Sequence, residues 1–443
     1  MPVRRTLRIG VTGLSRAGKT AFLTSVAANL LAFGAGMPAL PALSARLAGR
    51  SVRVAVAPAG AEALPRFDIA GHVAALAADP PAWPARTGAV SLLALDVDIG
   101  WTGLAAALPP RRLRLELLDY PGEWLLDLPL LDQDFATWST ATLRRLEALA
   151  DLAPARAFLG FVGGLPAVSP ADETLIATGH RLYRALLRHL REQSGLSMLQ
   201  PGRFLMPAPG PEPPWIAFFP MAGHSDMALS MARRFAAYQK AVRADLVSPI
   251  FGQVESLVVL ADVLSALHAG PAAFADAAAA LAAVSGALRW RAGLWSWLPG
   301  WLPDWVAGGI VRVAFAATKA DHVADRQRGN LLNLVGRLTA PPPDADIPGR
   351  AFALASVRCT EDIVWTLEGR PVSAVRGRVL GTEQLARSYP GEVPDRPPEG
   401  DFWAHPFLAL PDFEPMRLPL AGRGGVPHIS LDALMVFLLE DVL

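Results

Sequence analysis

The sequence GLSRAGKT at residues 13–20 has the spacing G-x-x-x-x-G-K-T and lies between a predicted strand and a predicted helix. Glycines let the backbone wrap closely, so that successive N–H groups and the helix N-terminus can hold phosphate oxygens. In such loops the lysine bridges the β- and γ-phosphates, and the hydroxyl that follows it binds Mg²⁺. The sequence therefore predicts a phosphate-binding loop formed by Gly13, Ser15, Arg16, Ala17, Gly18, Lys19, Thr20 and Ala21, with Thr20 as a metal ligand.

Lysine is scarce in this chain. Almost all of its 41 basic residues are arginines, and the three lysines are Lys19, Lys240 and Lys319. A guanidinium is a broad fork, whereas an ammonium is a compact charge that fits inside a phosphate loop. The retained lysine favours a true phosphate loop, with Lys19 as a catalytic cation. Arg16 in the same loop is a second candidate cation, and a solvated side chain is an equal interpretation.

A second motif, D-x-x-G, is formed by Asp119 and Gly122 directly after a predicted strand. In GTPases the carboxylate of this motif holds Mg²⁺ through a water, and the glycine N–H can bond a γ-phosphate oxygen. Thr87 precedes an earlier predicted strand and is the candidate that would close over the γ-phosphate and the metal. A plain Pro-rich connection is the alternative for that loop.

A third motif, T-K-x-D, begins at Thr318 and fits the pattern that recognises guanine. Asp321 would accept hydrogen bonds from N1–H and N2–H₂ of the base, and adenine would leave this carboxylate unpaired. The stem of Lys319 would lie along the ring. Ser356 and Val357 end another predicted strand, where a backbone N–H can approach guanine O6. The alternative is a helix N-cap at Thr318 followed by an ordinary acid of the first turn.

Glu123 follows the D-x-x-G motif, at the position where many GTPases carry a glutamine that orients the attacking water. A glutamate there could position water, but its negative charge would face the γ-phosphate. The other interpretation, which we favour, is that Glu123 caps the helix that follows. We therefore expect slow turnover without a partner.

Hydrophobic periodicity predicts the elements that position these motifs. Strand, loop and helix alternate at the start of the chain, and apolar strands recur later, as in a parallel α/β sheet. Residues 32–86 lack clear periodicity and are predicted to be irregular or partly helical. The predicted strands are 7–12, 90–99, 112–118, 257–260, 310–316 and 351–357, with a hairpin near 371–380. The predicted helices are 21–31, 174–192, 227–246 and 430–443.

These elements predict a P-loop NTPase, G-domain-like sheet core with a large helical insertion. Residues 1–122 would form the first part of the core and 123–250 the insertion. Residues 251–365 would form the second part of the core, and 366–443 a hairpin and a closing helix.

Composition excludes several classes of protein. The net charge of the 443-residue chain is +1, so no electrostatic footprint for nucleic acid is expected. Cys359 is the single cysteine, which excludes a disulfide framework and a thiolate metal cluster. The scattered histidines predict no metal site, and His322 is interpreted as a loop residue. We expect no signal peptide and no apolar run long enough to span a bilayer, and therefore a cytoplasmic location.

Five of the twelve tryptophans lie in residues 289–309. Trp and Arg suit an interface that is apolar on one side and wet on the other, so this segment could dock on a protein or a membrane surface. That interpretation leaves a peripheral position at the inner membrane open. The alternative is that the rings pack the insertion onto the sheet.

The phosphate loop together with LLDYPGEWLLDLPLL, LQPGRFLMP, LVVLADVLSALHAGP, AATKADHV and ASVRCTED resembles the YcjX-like family of bacterial P-loop proteins. The resemblance implies a G-domain-like core with helical additions and a link to envelope and phage-shock stress. The family is called an ATPase in some places and GTP-binding in others. The resemblance supports nucleotide roles for residues 13–20, Asp119, Gly122, Thr318, Lys319, Asp321 and Ser356.

The motifs and the resemblance lead to one principal hypothesis. The chain is predicted to be a Mg²⁺-dependent guanine nucleotide-binding protein, a switch of the bacterial stress response with slow GTP hydrolysis and with GTP or GDP and Mg²⁺ as its ligands. A P-loop ATPase or kinase of a small substrate is the first alternative. An interaction scaffold that holds a structural nucleotide is the second.

Overall fold

The computed structural model describes residues 5–14, 17–58, 64–85, 90–166, 168, 170–207, 210–244, 254–289, 310–341, 345, 347–405, 407, 410–418 and 424–443. The strands of its main sheet are β1 (Arg5–Gly13), β2 (Arg50–Val56), β3 (Ser91–Trp101), β4 (Arg111–Asp119), β5 (Ser256–Ala261), β6 (Arg312–Ala317) and β7 (Gly349–Ala353). A second sheet contains β8 (Thr360–Leu367), β9 (Arg370–Arg378) and β10 (Leu385–Ser388).

The main sheet has seven strands in the spatial order β2-β3-β4-β1-β5-β6-β7. β1 pairs in parallel with β4 and β5, and β5, β6 and β7 continue in parallel, whereas β3 runs antiparallel to β4 and β2 to β3. The parallel strands bring their carboxyl ends to one edge of the sheet, where ligands of open α/β sheets bind. The predicted α/β sheet core is thus confirmed.

Residue burial explains why these strands form. All residues of β5 and β6 are buried, as expected for parallel strands that are covered on both faces. β2 was missed by the prediction of irregular structure for residues 32–86. In the sequence RSVRVAV, valines alternate with polar or small residues, which suits an edge strand. This alternation is short and lies among Gly-, Pro- and Ala-rich neighbours.

The described helices are α1 (Lys19–Gly34), α2 (Pro41–Arg46), α3 (Ile69–Ala77), α4 (Phe135–Glu147), α5 (Ala153–Gly163), α6 (Glu173–Glu192), α7 (Asp226–Val242), α8 (Val263–Ala269), α9 (Pro271–Arg289), α10 (Asp325–Leu338) and α11 (Leu431–Leu439). Alternate residues of β6 face opposite sides of the sheet. Val313 and Phe315 pack in the cluster that contains α9 and α10. Ala314 and Ala316 pack in the cluster that contains α1 and α11.

Helices α4–α7 lie between β4 and β5 in the chain, where the insertion was predicted. Their centre is a group of aromatic rings, in which Trp138 stacks on Phe235 at 5.1 Å between ring centroids. The segment that directly follows the D-x-x-G motif is not a long helix. It is a 3₁₀ run, Gly122–Asp132, which contains Pro129. The domain boundaries proposed from the sequence stay a prediction.

Three other predicted segments differ from the structure. β7 ends at Ala353 instead of residue 357, and α11 ends at Leu439 before a short 3₁₀ turn. Residues 371–380 are not a hairpin by themselves, because most of them form β9, the middle strand of the second sheet. The turn of the hairpin between β8 and β9 is made by Glu368 and Gly369, both with positive φ.

One described helix, α9, is long and apolar enough to cross a membrane, which differs from the sequence prediction of no such run. The segment is Pro271–Leu288, and 44% of it is buried inside the protein. Asp276 interrupts it, and the carboxylate accepts hydrogen bonds from the backbone N–H groups of Ser197 and Met198. Length and composition are weak evidence for a span, since α9 packs in the same hydrophobic cluster as the insertion helices. Residues 290–309, with the tryptophans, lie outside the described part of the chain.

Candidate nucleotide-binding site

A cavity of about 1000 Å³ lies at the edge of the sheet where the parallel strands end. Residues from the phosphate loop, the D-x-x-G motif, the T-K-x-D motif and the segment after β7 line it. They are Ala17, Gly18, Lys19, Thr20, Ala21, Asp119, Thr318, Lys319, Asp321, Ser356 and Val357, together with Glu123. Gly13 and Gly122 lie just behind this lining. Ser15, Arg16 and Thr87 lie outside the described residues, so their predicted roles stay predictions.

The phosphate loop follows β1 and leads into α1. Gly18 has φ 80° and ψ 32°, a left-handed conformation that favours glycine, and α1 begins at the next residue, Lys19. A Cβ on Gly13 would lie 2.7 Å from the carbonyl oxygen of Leu260, so only glycine fits there. No side chain caps the N-terminus of α1, which leaves its first N–H groups directed at the cavity.

The D-x-x-G turn packs directly on the phosphate loop. Asp119 is the last residue of β4, pairs with Val11 of β1 and is 3% exposed. A Cβ on Gly122 would lie 1.6 Å from the carbonyl oxygen of Gly13, so this close approach requires glycine. The arrangement brings Asp119, Gly122 and Thr20 to the same end of the cavity.

The T-K-x-D turn follows β6. Lys319 has φ 60°, and its Nζ lies 2.7 Å from Oδ2 of Asp262 and 3.3 Å from Oγ of Ser265. Thr318 does not cap a helix: its Oγ1 donates to the carbonyl oxygen of Ala261 at 3.3 Å. The alternative interpretation of Thr318 as a helix N-cap is therefore wrong, and the turn is fixed to the end of β5.

Asp321 is 1% exposed, and the chain itself holds its carboxylate. Oδ2 accepts hydrogen bonds from the backbone N–H of Cys359 at 2.7 Å and from its Sγ at 2.9 Å, and Nδ1 of His322 lies 3.4 Å from Oδ1. Burial opposes ionisation, but the hydrogen bonds from His322 and Cys359 outweigh it and lower the pKa of Asp321. The carboxylate is thus a fixed, negatively charged acceptor.

From the sequence, the histidines were interpreted as scattered and Cys359 was assigned to no cluster. The structure corrects this interpretation at one place. One ligand atom of each of Asp321, His322 and Cys359 lies within 4.8 Å of the others. Burial and the charge of Asp321 raise the pKa of the Cys359 thiol well above its ordinary value, so the thiol stays a hydrogen-bond donor. The hydrogen bonds account for the grouping.

The loop with Ser356 and Val357 also lines the cavity and is held by hydrogen bonds to two other elements. Ser25 on α1 donates its hydroxyl to the carbonyl oxygen of Ser356. The backbone N–H of Ala320 donates to the carbonyl of Leu354 at 3.1 Å, which ties this loop to the T-K-x-D turn.

Glu123 is the second residue of the 3₁₀ run Gly122–Asp132, and the N-cap position of this run is Pro121. Oε1 of Glu123 lies 3.3 Å from Nη1 of Arg191, which belongs to α6 and also lines the cavity. The interpretation of Glu123 as a helix cap is therefore wrong. Arg191 was missed, since its partner is distant in the sequence and no motif marks it.

The segment after Gly122 is bound to the insertion by buried polar contacts. Asp127 accepts hydrogen bonds from the backbone N–H of Gly202 at 2.7 Å and from Oη of Tyr238 at 2.6 Å. Burial, opposed in part by these hydrogen bonds, raises the pKa of Asp127 to about 6. Nε1 of Trp124 donates to the carbonyl oxygen of Met206 at 2.7 Å. The D-x-x-G segment is therefore tied to the insertion by buried polar contacts.

Asp262 and Ser265 were also missed by the sequence analysis. Asp262 follows β5 directly, just as Asp119 ends β4 and Thr318 follows β6. The D-x-x-S spacing is a capping pattern, and Oδ1 of Asp262 does accept a hydrogen bond from the backbone N–H of Ser265 at 3.0 Å. This signal was available in the sequence.

A mostly parallel α/β sheet with a phosphate loop, a D-x-x-G turn and a T-K-x-D turn along its carboxyl edge defines a P-loop protein of the Ras-like fold class. The chain belongs to the YcjX-like family, DUF463, whose model matches residues 7–443. The resemblance stated from the motifs is thereby confirmed.

Two relatives agree with this assignment. The chain is 35% identical over 461 residues to the Ras-like GTPase YcjX of Escherichia coli (strain K12), with 100% of this chain and 97% of that protein covered. It is 32% identical over 467 residues to the Ras-like GTPase YcjX of Shewanella oneidensis (strain MR-1), with 99% and 95% covered.

Proposed function

We propose that this protein is a Mg²⁺-dependent guanine nucleotide-binding protein that hydrolyses GTP slowly and changes conformation with the nucleotide. Its relatives are named Ras-like GTPases, which supports GTPase-like nucleotide binding. The observation that carries the proposal is that Lys19 and Asp321 line one cavity of about 1000 Å³, a size that suits a nucleotide.

The phosphate end would hold the charged tail of the nucleotide. Backbone N–H groups of residues 17–21 would contact the phosphates, and Nζ of Lys19 would neutralise the β- and γ-phosphate oxygens. Thr20 and Asp119 both line the cavity and offer the oxygen ligands that Mg²⁺ prefers, so these two residues would hold the metal. When bound, Mg²⁺ would neutralise charge that develops on the phosphates.

The base end would select guanine. Asp321 is a negative, fixed acceptor for N1–H and N2–H₂, and adenine offers no pair of donors in this geometry. Backbone N–H groups at Ser356 and Val357 would lie near guanine O6. The stem of Lys319, held by Asp262, would lie along one face of the ring.

The switch would operate through the D-x-x-G turn. A γ-phosphate would attract the N–H of Gly122, and the buried contacts of Asp127 and Trp124 would pass this displacement to the insertion helices. A role in the bacterial stress response and a cytoplasmic location are further parts of the proposal, and they depend on the family resemblance. A protein or membrane partner through residues 289–309 remains a prediction from composition.

Calorimetry of the full chain with Mg²⁺ and either GDP or ADP tests the proposal. We expect GDP to bind at least about 100-fold more tightly, since guanine would donate N1–H and N2–H₂ to the charged Asp321 acceptor, whereas adenine would cover that carboxylate without supplying these donors. Lys19→Ala is the control for binding at the phosphate loop. A preference for ADP would exclude the guanine assignment and favour the ATPase alternative.

A further inference from the structure

Arg191 is a charged residue of the cavity that no sequence motif marks. It lies near the end of α6, and in the described part of the chain it is the arginine that lines the cavity. Its side chain is 23% exposed, and its guanidinium contacts Glu123 at 3.3 Å and Glu192 at 3.8 Å. Among the described residues, these two acids are its ion-pair partners.

The position of Glu123 shows which end of the cavity Arg191 occupies. Gly122, the residue before Glu123, packs on the carbonyl of Gly13 in the phosphate loop. Arg191, Glu123, Gly122 and Leu14 also line one smaller pocket at this place. The guanidinium therefore lies on the side of the cavity where the D-x-x-G turn packs on the phosphate loop.

The backbone that carries Arg191 is held firmly. Leu187 and Leu190 are buried in the hydrophobic cluster of the insertion, and the N–H of Leu196 donates to the carbonyl of Leu190 at 3.1 Å. The carbonyl oxygen of Glu123 packs against Gly202, where a Cβ would approach it to 1.7 Å. Because the backbone is fixed on both sides of this contact, opening of the ion pair would require rotation of the two side chains and no unfolding.

We propose that Arg191 is an arginine finger supplied by the insertion of the same chain, and that Glu123 holds it away from the nucleotide before hydrolysis. The inference depends on the proposed GTPase function. A water oxygen bonds to the γ-phosphorus while the bond from this phosphorus to the β–γ bridging oxygen breaks, and its electron pair stays on GDP. The water proton passes to the phosphate that leaves. Arg191 takes no proton; it stabilises the charge on the transferring phosphoryl group and the bridging oxygen.

The ion pair also explains why slow turnover is expected. Glu123 and the γ-phosphate compete for the same guanidinium, so the arginine is engaged with phosphate in only part of the molecules. Removal of the negative charge at position 123 should release Arg191 and remove a charge that repels the γ-phosphate. A purely structural ion pair between insertion and D-x-x-G turn would give neither effect.

Single-turnover hydrolysis of GTP by the full chain with Mg²⁺ tests Arg191. Arg191→Ala and Arg191→Gln should each lower the rate at least about 100-fold, as for other arginine fingers. The affinities for GTP and GDP should change by less than about threefold, since the finger acts mainly in the transition state. Arg188→Ala is the matched control, because Arg188 is exposed on the same helix.

Binding of GDP with aluminium fluoride and Mg²⁺ provides a readout other than turnover. This complex imitates the transferring phosphoryl group, so it should form with the wild-type chain and with Arg188→Ala and be lost in both Arg191 variants. If the Arg191 variants lost thermal stability but still formed the fluoride complex, the ion pair would be purely structural. That result would overturn the inference.

Glu123, the ion-pair partner of Arg191, is tested separately. Glu123→Gln should raise the single-turnover rate about tenfold, and the gain should vanish in the Glu123→Gln/Arg191→Ala double variant. An equal gain in the double variant would overturn the assignment of Glu123 as the residue that holds Arg191. Failure of the wild-type chain to bind or hydrolyse GTP would instead contradict the proposed function. Wild-type hydrolysis that persists in the Arg191 variants would contradict only the finger.

Discussion

The backbone N–H of Cys359 donates a 2.7 Å hydrogen bond to Oδ2 of Asp321, and this bond joins the two loops that form the base end of the cavity. The loop after β7 thereby fixes the direction of the carboxylate at the end of β6. A carboxylate that is already oriented loses little conformational entropy when a ligand binds, which favours both affinity and specificity. Asp321 and Cys359 each give a prediction about the base.

Asp321→Asn should change the base that is recognised. The amide keeps one acceptor but replaces the other by an N–H donor, which faces the N2–H₂ donor of guanine and would suit the carbonyl at the same position of xanthine. We expect GDP affinity to fall about 100-fold and affinity for xanthosine diphosphate to rise above it. Titration with both nucleotides measures this, and equal losses for both bases would contradict the role of Asp321.

Cys359→Ala should weaken guanine binding less than Asp321→Asn does. The substitution removes the thiol donor, whereas the backbone N–H remains, so a loss of about 1 kcal/mol, or roughly fivefold in affinity for GDP, is expected. Cys359→Ser keeps a donor and should restore most of the affinity. Fluorescent nucleotide titrations measure both variants, and an unchanged affinity in Cys359→Ala would show that the backbone bond alone orients Asp321.

Lys19→Ala should abolish tight nucleotide binding. Nζ is the cation of the phosphate loop in the proposed site, and its loss leaves the β- and γ-phosphates without a compact positive charge, so that affinity falls at least about 100-fold. Lys240→Ala is the control, because Lys240 is exposed on α7. Calorimetry with GDP distinguishes the two. Similar affinities in both variants would place the nucleotide elsewhere in the molecule.

Gly122→Ala tests the close contact between the two phosphate-binding turns. The added Cβ would lie 1.6 Å from the carbonyl oxygen of Gly13, so one of the turns must move. We expect a stability loss of about 1–3 kcal/mol together with weaker GTP binding. Gly160→Ala is the matched control on α5, where a Cβ meets no atom within 4 Å. Thermal unfolding and GTP titration check both, and a variant with unchanged GTP affinity would contradict the role of this turn.

Local patterns predicted much of the fold, because the strands that carry the motifs are strongly patterned. β5 and β6 are continuous apolar runs, and the turns after β1, β4 and β6 have motifs with fixed spacing. What failed was structure that depends on partners distant in sequence. The strand β2 depends on pairing with β3, and its own alternation is too short to predict it.

The same limit applies to the site. Lys19, Thr20, Asp119 and Asp321 belong to motifs, and the structure brings them to one cavity. The contact of Arg191 with Glu123 joins residues 68 positions apart and depends on how the insertion packs, which no local pattern encodes. The contact between Cys359 and Asp321 likewise depends on the pairing of β6 with β7.

Asp127 gives a prediction about pH. Its pKa is raised from 3.8 to about 6 by burial, so the folded state binds this proton more tightly than the unfolded state. The stabilisation that protonated Asp127 provides is complete below the pKa that Asp127 has in the unfolded state. It is lost as the pH rises through the pKa that Asp127 has in the folded state. A shift of this size corresponds to roughly 3 kcal/mol as an upper limit. Asp127→Asn does not ionise, so its stability relative to wild type should increase between about pH 4.5 and 7.5.

Asp134→Asn is the control for this titration. Asp134 caps α4 and is held by a bond from the N–H of Thr137, which lowers its pKa, so its effect is lost only as the pH falls below its ordinary value. The stability of Asp134→Asn should therefore change with pH in parallel with that of the wild-type protein between about pH 4.5 and 7.5. Midpoints of thermal unfolding across this range measure both variants. A constant difference between Asp127→Asn and wild type would mean that Asp127 does not titrate in this range, and that its bonds to Gly202 and Tyr238 keep the carboxylate charged throughout.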